Sequence, residues 1–192
     1  MSKSGLSVLI PAAGASTRLG QSKQLVDYQG KPLLQHVIDV VSSINPSQIV
    51  VVTGADADAI RDRVRAPGVN WVHNARWQRG LGGSIALGAR AVSPRSSGLM
   101  IMLCDQYRIT ADDLQKLVEN WRANQDHIVA ARAGGRCMPP LIFPSCMFND
   151  LEKLAGEAGA RSLVAQHPEQ VTAVPMENAA FDLDTPEQLQ GL

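Results

Sequence analysis

Two cations, Arg18 and Lys23, stand just beyond a run of small residues, Ala12-Ala13-Gly14-Ala15-Ser16, which follows the apolar stretch Leu6 to Ile10 and Pro11. Small or absent side chains let backbone N–H groups come close to an anion, and the arginine and lysine supply the compensating charge. That is phosphate-binding chemistry. The spacing of Gly14 and Gly20 fits neither G-x-G-x-x-G nor G-x-x-x-x-G-K-[ST], which rejects both the dinucleotide fingerprint and the Walker loop. The chemistry-bearing carboxylates lie elsewhere. Asp105 closes the apolar run LMIMLC, and Asp182 and Asp184 lie two apart in FDLDTP, a spacing that in an extended chain puts both on one face. Carboxylates gathered before a triphosphate would hold Mg²⁺, a hard ion that takes oxygen ligands. For Asp182 and Asp184 the alternative is capping of the helix that Thr185-Pro186 opens.

These residues need elements to position them. Leu6–Ile10, Ile49–Thr53 and Leu99–Cys104 are short continuous apolar runs, the pattern of parallel strands covered on both faces. Between them, Leu33, Leu34, Val37, Ile38 and Val41 recur at helical spacing after Gly30-Lys31-Pro32, and a helix follows from Asp56. Val69–His73 reads as a further strand, and a small-residue helix follows from Ser84. Thr110-Ala-Asp-Asp caps a helix with Leu114, Leu117, Val118 and Trp121 on one face. Farther on, His127–Arg132 reads as a strand, 134–140 as a loop leading into strand Leu141–Phe143, and Phe148–Leu154 and Ala160–Gln166 as helices. Val171–Val174 and Ala180–Leu183 read as extended, before a last short helix from Pro186. The alternation is that of an α/β protein: a three-layer, Rossmann-like, mostly parallel sheet with helices on both faces. In such sheets ligands bind beyond the carboxyl ends of the strands, where the loop 11–23, Gly80–Ser84, Asp105 and the Asp182/Asp184 pair are expected to converge.

Composition narrows the partners. Across 192 residues, 18 Lys and Arg balance 18 Asp and Glu, so no field of one sign is available to draw in nucleic acid or an anionic membrane. A small charged ligand at a local site is favoured. The length suits one domain spanning 1–192. No run of 18 apolar residues occurs and MSKSG lacks the apolar core of a signal peptide, so the expected location is cytoplasmic. Three cysteines without C-x-x-C spacing indicate neither a disulfide framework nor a zinc site. The four histidines are scattered, with no H-x-x-x-H pair and no G-x-S-x-G nucleophile motif nearby.

The order PAAG-x-x-x-R-x-G-x-x-K resembles the signature loop of nucleotidyltransferases that activate sugars, isoprenoid precursors and pterin cofactors. With NARWQRGLGGSIALGAR, MLCDQ, LAGEAGARSLV and FDLDTPEQL in order behind it, nearly the whole chain resembles the MobA-like nucleotidyltransferases, in particular the branch that cytidylylates the molybdenum cofactor. The resemblance implies a single nucleotidyltransferase domain in which Ala12, Ala13, Gly14, Arg18, Lys23 and Thr53 bind the nucleotide. It places Asn74, Gly80 and Ser84 along the base and ribose. It implies that Asp105 and Asp184 ligate Mg²⁺ with Asp182 nearby, and that Arg18, Lys23 and Asp105 carry catalysis. The implied substrates are CTP, with GTP disfavoured, and a molybdopterin-type acceptor; a molybdoenzyme or its chaperone is a possible partner. Ala12-Ala13-Gly14 is similar to the cytidylyl members, whereas guanylyl members resemble L-A-G-G, and the Ala13 methyl would narrow the base pocket against a purine.

The chain departs from its relatives at the acceptor. Their loop resembles G-x-x-G-x-P followed by L-x-G-D-x-G-A-R, whereas here Gly135-Arg136-Cys137-Met138-Pro139-Pro140 puts Met138 in place of a glycine and Glu157 in place of the aspartate. Arg136 and Arg161 are the expected anion partners of the acceptor, the alternative being that they are solvated surface charges. Two other functions compete. PAAG followed by SKQL and GKPLLQHVI also resembles the enzymes that cytidylylate methylerythritol phosphate, and a non-catalytic nucleotide-binding protein that delivers a cofactor would share the loop.

Overall fold

A computed structural model describes residues 5–17, 19–157 and 159–189. Seven strands form one sheet: β1 (Leu6–Ala12), β2 (Gln48–Thr53), β3 (Asn70–His73), β4 (Gly98–Ile101), β5 (Ile128–Ala133), β6 (Arg136–Pro144) and β7 (Val171–Pro175). Their spatial order is β3-β2-β1-β4-β6-β5-β7. All neighbours pair in parallel except β6, which runs antiparallel to both β4 and β5. The strand order reverses between β1 and β4, so the loops leaving these two strands diverge and open a crevice.

The continuous apolar runs form strands buried on both sides, and the period of two sorts them between two cores. Val8, Ile10, Val51 and Met100 face one layer with α1 (Leu33–Ser42), α2 (Ala57–Arg63) and α4 (Ala111–Ala123). Leu9, Val50, Val52, Leu99 and Ile101 face the other, with α3 (Leu81–Arg90), α5 (Phe148–Leu151) and α6 (Arg161–Gln166). Each such side chain contributes about 1.5–3 kcal/mol on full burial. The result is the three-layer α/β architecture expected from the alternation. Helix α4 starts as its sequence requires: Thr110 Oγ1 accepts from Asp113 N at 3.2 Å and Asp113 Oδ2 accepts from Thr110 N at 3.0 Å, a reciprocal capping box.

Several boundaries differ from the sequence reading. Helix α3 begins at Leu81 rather than Ser84, because Gly82 N donates to Gly156 O at 2.9 Å and so anchors the first turn. Strand β6 begins at Arg136 rather than Leu141. Gly134 and Gly135, at φ 53° and 77°, close a tight hairpin from β5, and the prolines at 139 and 140 lie within the strand beside a register shift at Ala130/Ala131. A two-residue ribbon, Asp27–Tyr28 against Lys31–Pro32, precedes α1. Residues 180–183 are not a strand: a 3-10 turn over Glu177–Ala180 is followed by irregular chain leading to α7 (Pro186–Leu189). What pattern reading took for a strand is the anchoring of Leu183, buried with Leu19, Val26 and Leu33.

Candidate active site

The loop leaving β1 is shaped by a side chain that the sequence reading passed over. Gln24 is buried, and its Nε2 donates to Ala12 O at 3.0 Å and Gly14 O at 3.1 Å, while Ser22 Oγ donates to its Oε1 at 3.0 Å. In a trans peptide the next N–H points opposite to the carbonyl. With the Ala12 and Gly14 carbonyls turned to Gln24, the N–H groups of Ala13 and Ala15 are turned away from it. Ser16 adopts φ 51° and its Oγ accepts from Lys23 N at 3.2 Å, bringing Lys23 back over the loop. Arg18 lies outside the described residues.

A cavity of about 290 Å³ adjoins this loop, lined among others by Ala13, Gly14, Trp77, Gly80, Ser84 and Glu157. Gly80, at φ 101°, lies against Gly156 so closely that a Cβ would collide with its carbonyl. Asn74 and Ser84 are both buried and joined, Asn74 Nδ2 donating to Ser84 Oγ at 2.9 Å, while Asn74 Oδ1 accepts from Arg76 N at 2.9 Å. Thr53 stands apart. It ends β2 beside Ala12, its Oγ1 reaches Val72 O at 3.5 Å, and it lines a separate depression with Asp56 and His73.

The charged centre lies at the crevice. Lys23 Nζ is 2.9 Å from Asp105 Oδ2 and 2.7 Å from Asp184 Oδ1. Burial works against the Lys23 charge, but Asp105 and Asp184 outweigh it and raise its pKa. Leu183 N donates to Asp105 O at 3.0 Å, which with the burial of Leu183 brings Asp182 and Asp184 close to Asp105 although neither sits on a strand. Asp184 directs a carboxylate oxygen to Lys23, and at the start of α7 it is Gln188 Oε1 that accepts from Asp184 N and Thr185 N. Burial, with the like charges of Asp105 and Asp184 added, pushes the Asp182 carboxyl up to about 6.

Asp105 Oδ1 and Asp182 Oδ1 are buried with no partner among the described residues. Carboxylate oxygens in that condition are under-compensated, and this donor set, hard oxygens short of positive charge, fits a divalent cation. No grouping of three or more His, Cys, Asp or Glu close enough to enclose an ion occurs among the described residues; between Asp105 and Asp184 the cation present is the Lys23 ammonium.

Beyond Asp182 lies a second cavity, of about 160 Å³, walled by Leu81, Ile85, Met138 and Pro139 and bordered by Glu157 and Arg161. Arg161 therefore joins the site. Arg136 is exposed at the β5–β6 hairpin and is not among the residues lining the cavity. Glu157 borders both cavities.

Residues 8–171 match a family described as the MobA-like NTP transferase domain. Over nearly its whole length the chain is similar to nicotine blue oxidoreductase of Paenarthrobacter nicotinovorans, 27% identical over 190 residues, 94% of this chain and 93% of that protein. A shorter match, 33% identical over 116 residues, joins it to the bifunctional protein GlmU of Solibacter usitatus; it takes in 59% of this chain and 25% of GlmU, so the chain spans about a quarter of that relative. Among solved structures, Rv0371c of Mycobacterium tuberculosis superposes with a TM-score of 0.89 at 26% identity, covering 100% of this chain and 98% of that one. A complex of Rv0371c with manganese superposes with a TM-score of 0.78 at 24% identity, over 90% and 89% of the two chains. No helix among the described residues is long and apolar enough to cross a membrane.

Proposed function

This chain belongs to the MobA-like NTP transferase family, and from that premise we propose that it is a divalent-metal-dependent nucleotidyltransferase. It moves CMP from CTP onto a phosphate-bearing, pterin-type acceptor such as molybdopterin or the molybdenum cofactor. The observation that carries this reading is Lys23 held between Asp105 and Asp184 at the sheet's switch point, with a cavity beside the glycine loop and another beside Asp182.

In this reading the loop N–H groups, Lys23 and Arg18 hold the triphosphate. Ala13, which lines the cavity beside the loop, narrows the base pocket in favour of cytosine. The Asn74–Ser84 pair lines the nucleoside. Asp105 and Asp184 would hold Mg²⁺, with Asp182 alongside; Rv0371c solved with manganese is consistent with a divalent ion. When bound, that ion neutralises phosphate charge and orients phosphate oxygens. An oxygen of the acceptor phosphate forms a bond to the α-phosphorus, the bond to the β-phosphate oxygen breaks, and pyrophosphate leaves. A phosphate oxygen is already anionic, so no general base is needed, and the site's task is positioning and charge compensation. Lys23 neutralises the charge that grows on pyrophosphate.

The test is turnover of α-labelled CTP and GTP with Mg²⁺ and an acceptor panel of molybdenum cofactor, methylerythritol phosphate and simple sugar phosphates. Label on the pterin from CTP is expected. Transfer only to a sugar phosphate or to methylerythritol phosphate moves the chain to another branch, and binding without turnover favours a nucleotide-binding delivery protein. A second reading rests on the end-to-end match to nicotine blue oxidoreductase: the two cavities serve a redox reaction on a heterocycle. Oxidation of a reduced nicotinamide cofactor in the presence of nicotine blue, with no pyrophosphate released from any nucleotide, would select it.

A further inference from the structure

The cavity beside Asp182 holds a buried amide whose orientation is fixed by its partners. Gln106, 2% exposed, donates from Nε2 to Pro139 O at 2.7 Å and to Ala179 O at 2.9 Å. Both partners are backbone carbonyls, which accept and cannot donate, so the nitrogen must face them and the amide cannot be flipped. Gln106 Oε1 is thereby committed as an acceptor, and it is buried with no partner among the described residues. A buried carbonyl oxygen left unpaired is costly, and because Gln106 lines the cavity, the group calls for a donor from outside the chain. Gln106 lines the same cavity as Asp182, whose Oδ1 is likewise unpartnered.

The surroundings restrict what brings that donor. Leu81, Ile85, Ile101, Leu103 and Met138 supply apolar walls beside the polar Gln106, Asp182, Glu157 and Arg161, so a ligand with apolar faces and polar edges matches the lining better than a polyol does. A flat heterocycle with an N–H edge meets both conditions: its faces lie on the apolar walls and its N–H reaches the fixed oxygen.

We propose that Gln106 is the specificity-determining residue of the acceptor cavity, its Oε1 accepting a hydrogen bond from a ring N–H or amino group of a flat heterocyclic acceptor. This rests on the reading of that cavity as the acceptor end of the site. The amide acts through hydrogen bonding alone and takes no part in phosphoryl chemistry.

Calorimetric binding tests it without turnover, using the full chain with CTP and Mg²⁺. The probes are a simple pterin, an analogue with the 2-amino group replaced by the isosteric methyl, and one with the ring N–H methylated. Loss of the donor that Gln106 reads should weaken binding by about 10–100-fold in at least one analogue. In Gln106→Met the pterin and that analogue should bind alike. Equal binding of all three ligands by the unaltered protein, no binding of the pterin at all, or an undiminished preference in Gln106→Met would each overturn the assignment. Should Gln106→Met not fold, the analogue comparison in the unaltered protein decides alone. Pterin binding with the expected preference but no label transfer from CTP to any phosphate-bearing acceptor of the panel above would sink the transferase reading and leave Gln106's role standing.

Discussion

Replacing Lys23 by alanine removes the one described cation that touches two of the three carboxylates at the crevice, and its effect on stability separates from its effect on chemistry. The contact with Asp184, whose side chain is 50% exposed, ranks with surface ion pairs at about 0.2–1 kcal/mol. The contact with Asp105 is different, because those side chains are only 12% and 20% exposed for Lys23 and Asp105. Stranding a fully buried charge costs about 3–5 kcal/mol; residual solvent at Asp105 and relief of the lysine's own desolvation reduce this, giving a net loss of about 2–3 kcal/mol. At about 2–4 °C per kcal/mol for a chain of this size, the metal-free protein should melt roughly 5–10 °C lower. Chemistry should suffer by about 10²–10³ in kcat/KM, the cost of losing one preorganised charge at the developing anion. The decisive comparison is with Lys23→Ala/Asp105→Asn. Removing the stranded charge should return at least half the lost stability while activity stays low, which thermal unfolding and pyrophosphate release read independently. Additive destabilisation in the double variant, or a kcat/KM for Lys23→Ala within threefold of the unaltered protein, refutes the ion-triad reasoning.

Other perturbations have defined outcomes. Because the folded Asp182 carboxyl titrates at about 6 against 3.8 for an ordinary aspartate, the folded state holds its proton more tightly; this contribution to stability is present below the ordinary value and lost as pH rises to about 6, so metal-free protein should melt progressively lower across that window. Asp182→Asn should flatten the slope, and an unchanged slope would remove Asp182 as its source. Gly82→Ala would place a Cβ 2.7 Å from Ala155 O, forcing α3 and the 155–157 segment apart; a loss of about 1–3 kcal/mol and a raised KM for the nucleotide are expected by denaturant melts and kinetics. Thr110→Ala, breaking the capping box of α4 away from the crevice, should cost about 0.5–2 kcal/mol with kcat unaltered, and a fall in kcat would implicate α4 in catalysis.

Much of this molecule could be read from its sequence because the signals were local. Val8, Leu9, Ile10 and Val50, Val51, Val52 alternate between two cores, as uninterrupted apolar runs demand, and Thr110 with Asp113 announced its own helix. The loop at 12–16 and the acids at 105, 182 and 184 were visible as residue types, and the fold brings Lys23 to Asp105 and Asp184. What escaped depended on distant partners. Leu183 reads as a strand residue until it is seen beside Leu19, Val26 and Leu33. Gln24 and Gln106 are ordinary polar residues in sequence, and their roles follow only from the backbone carbonyls they meet across the fold. Arg136 looked equivalent to Arg161, yet a two-glycine hairpin carries it out to the surface.

The reversed direction of β6 has an evolutionary consequence. Because it runs against its neighbours, it presents its amino end where β4 and β5 present their carboxyl ends, so the hairpin at 134–135 and the residues Met138 and Pro139 open onto the same rim as Asp105. The loop and lysine proposed to meet the triphosphate follow β1, while this wall hangs from a strand whose amino end is joined to β5 by a short turn. Insertions or exchanges in that turn would redraw the rear chamber without disturbing the register of β1, β2 and β4. One scaffold could in this way keep a constant nucleotide grip while drifting between acceptors, even between reaction types.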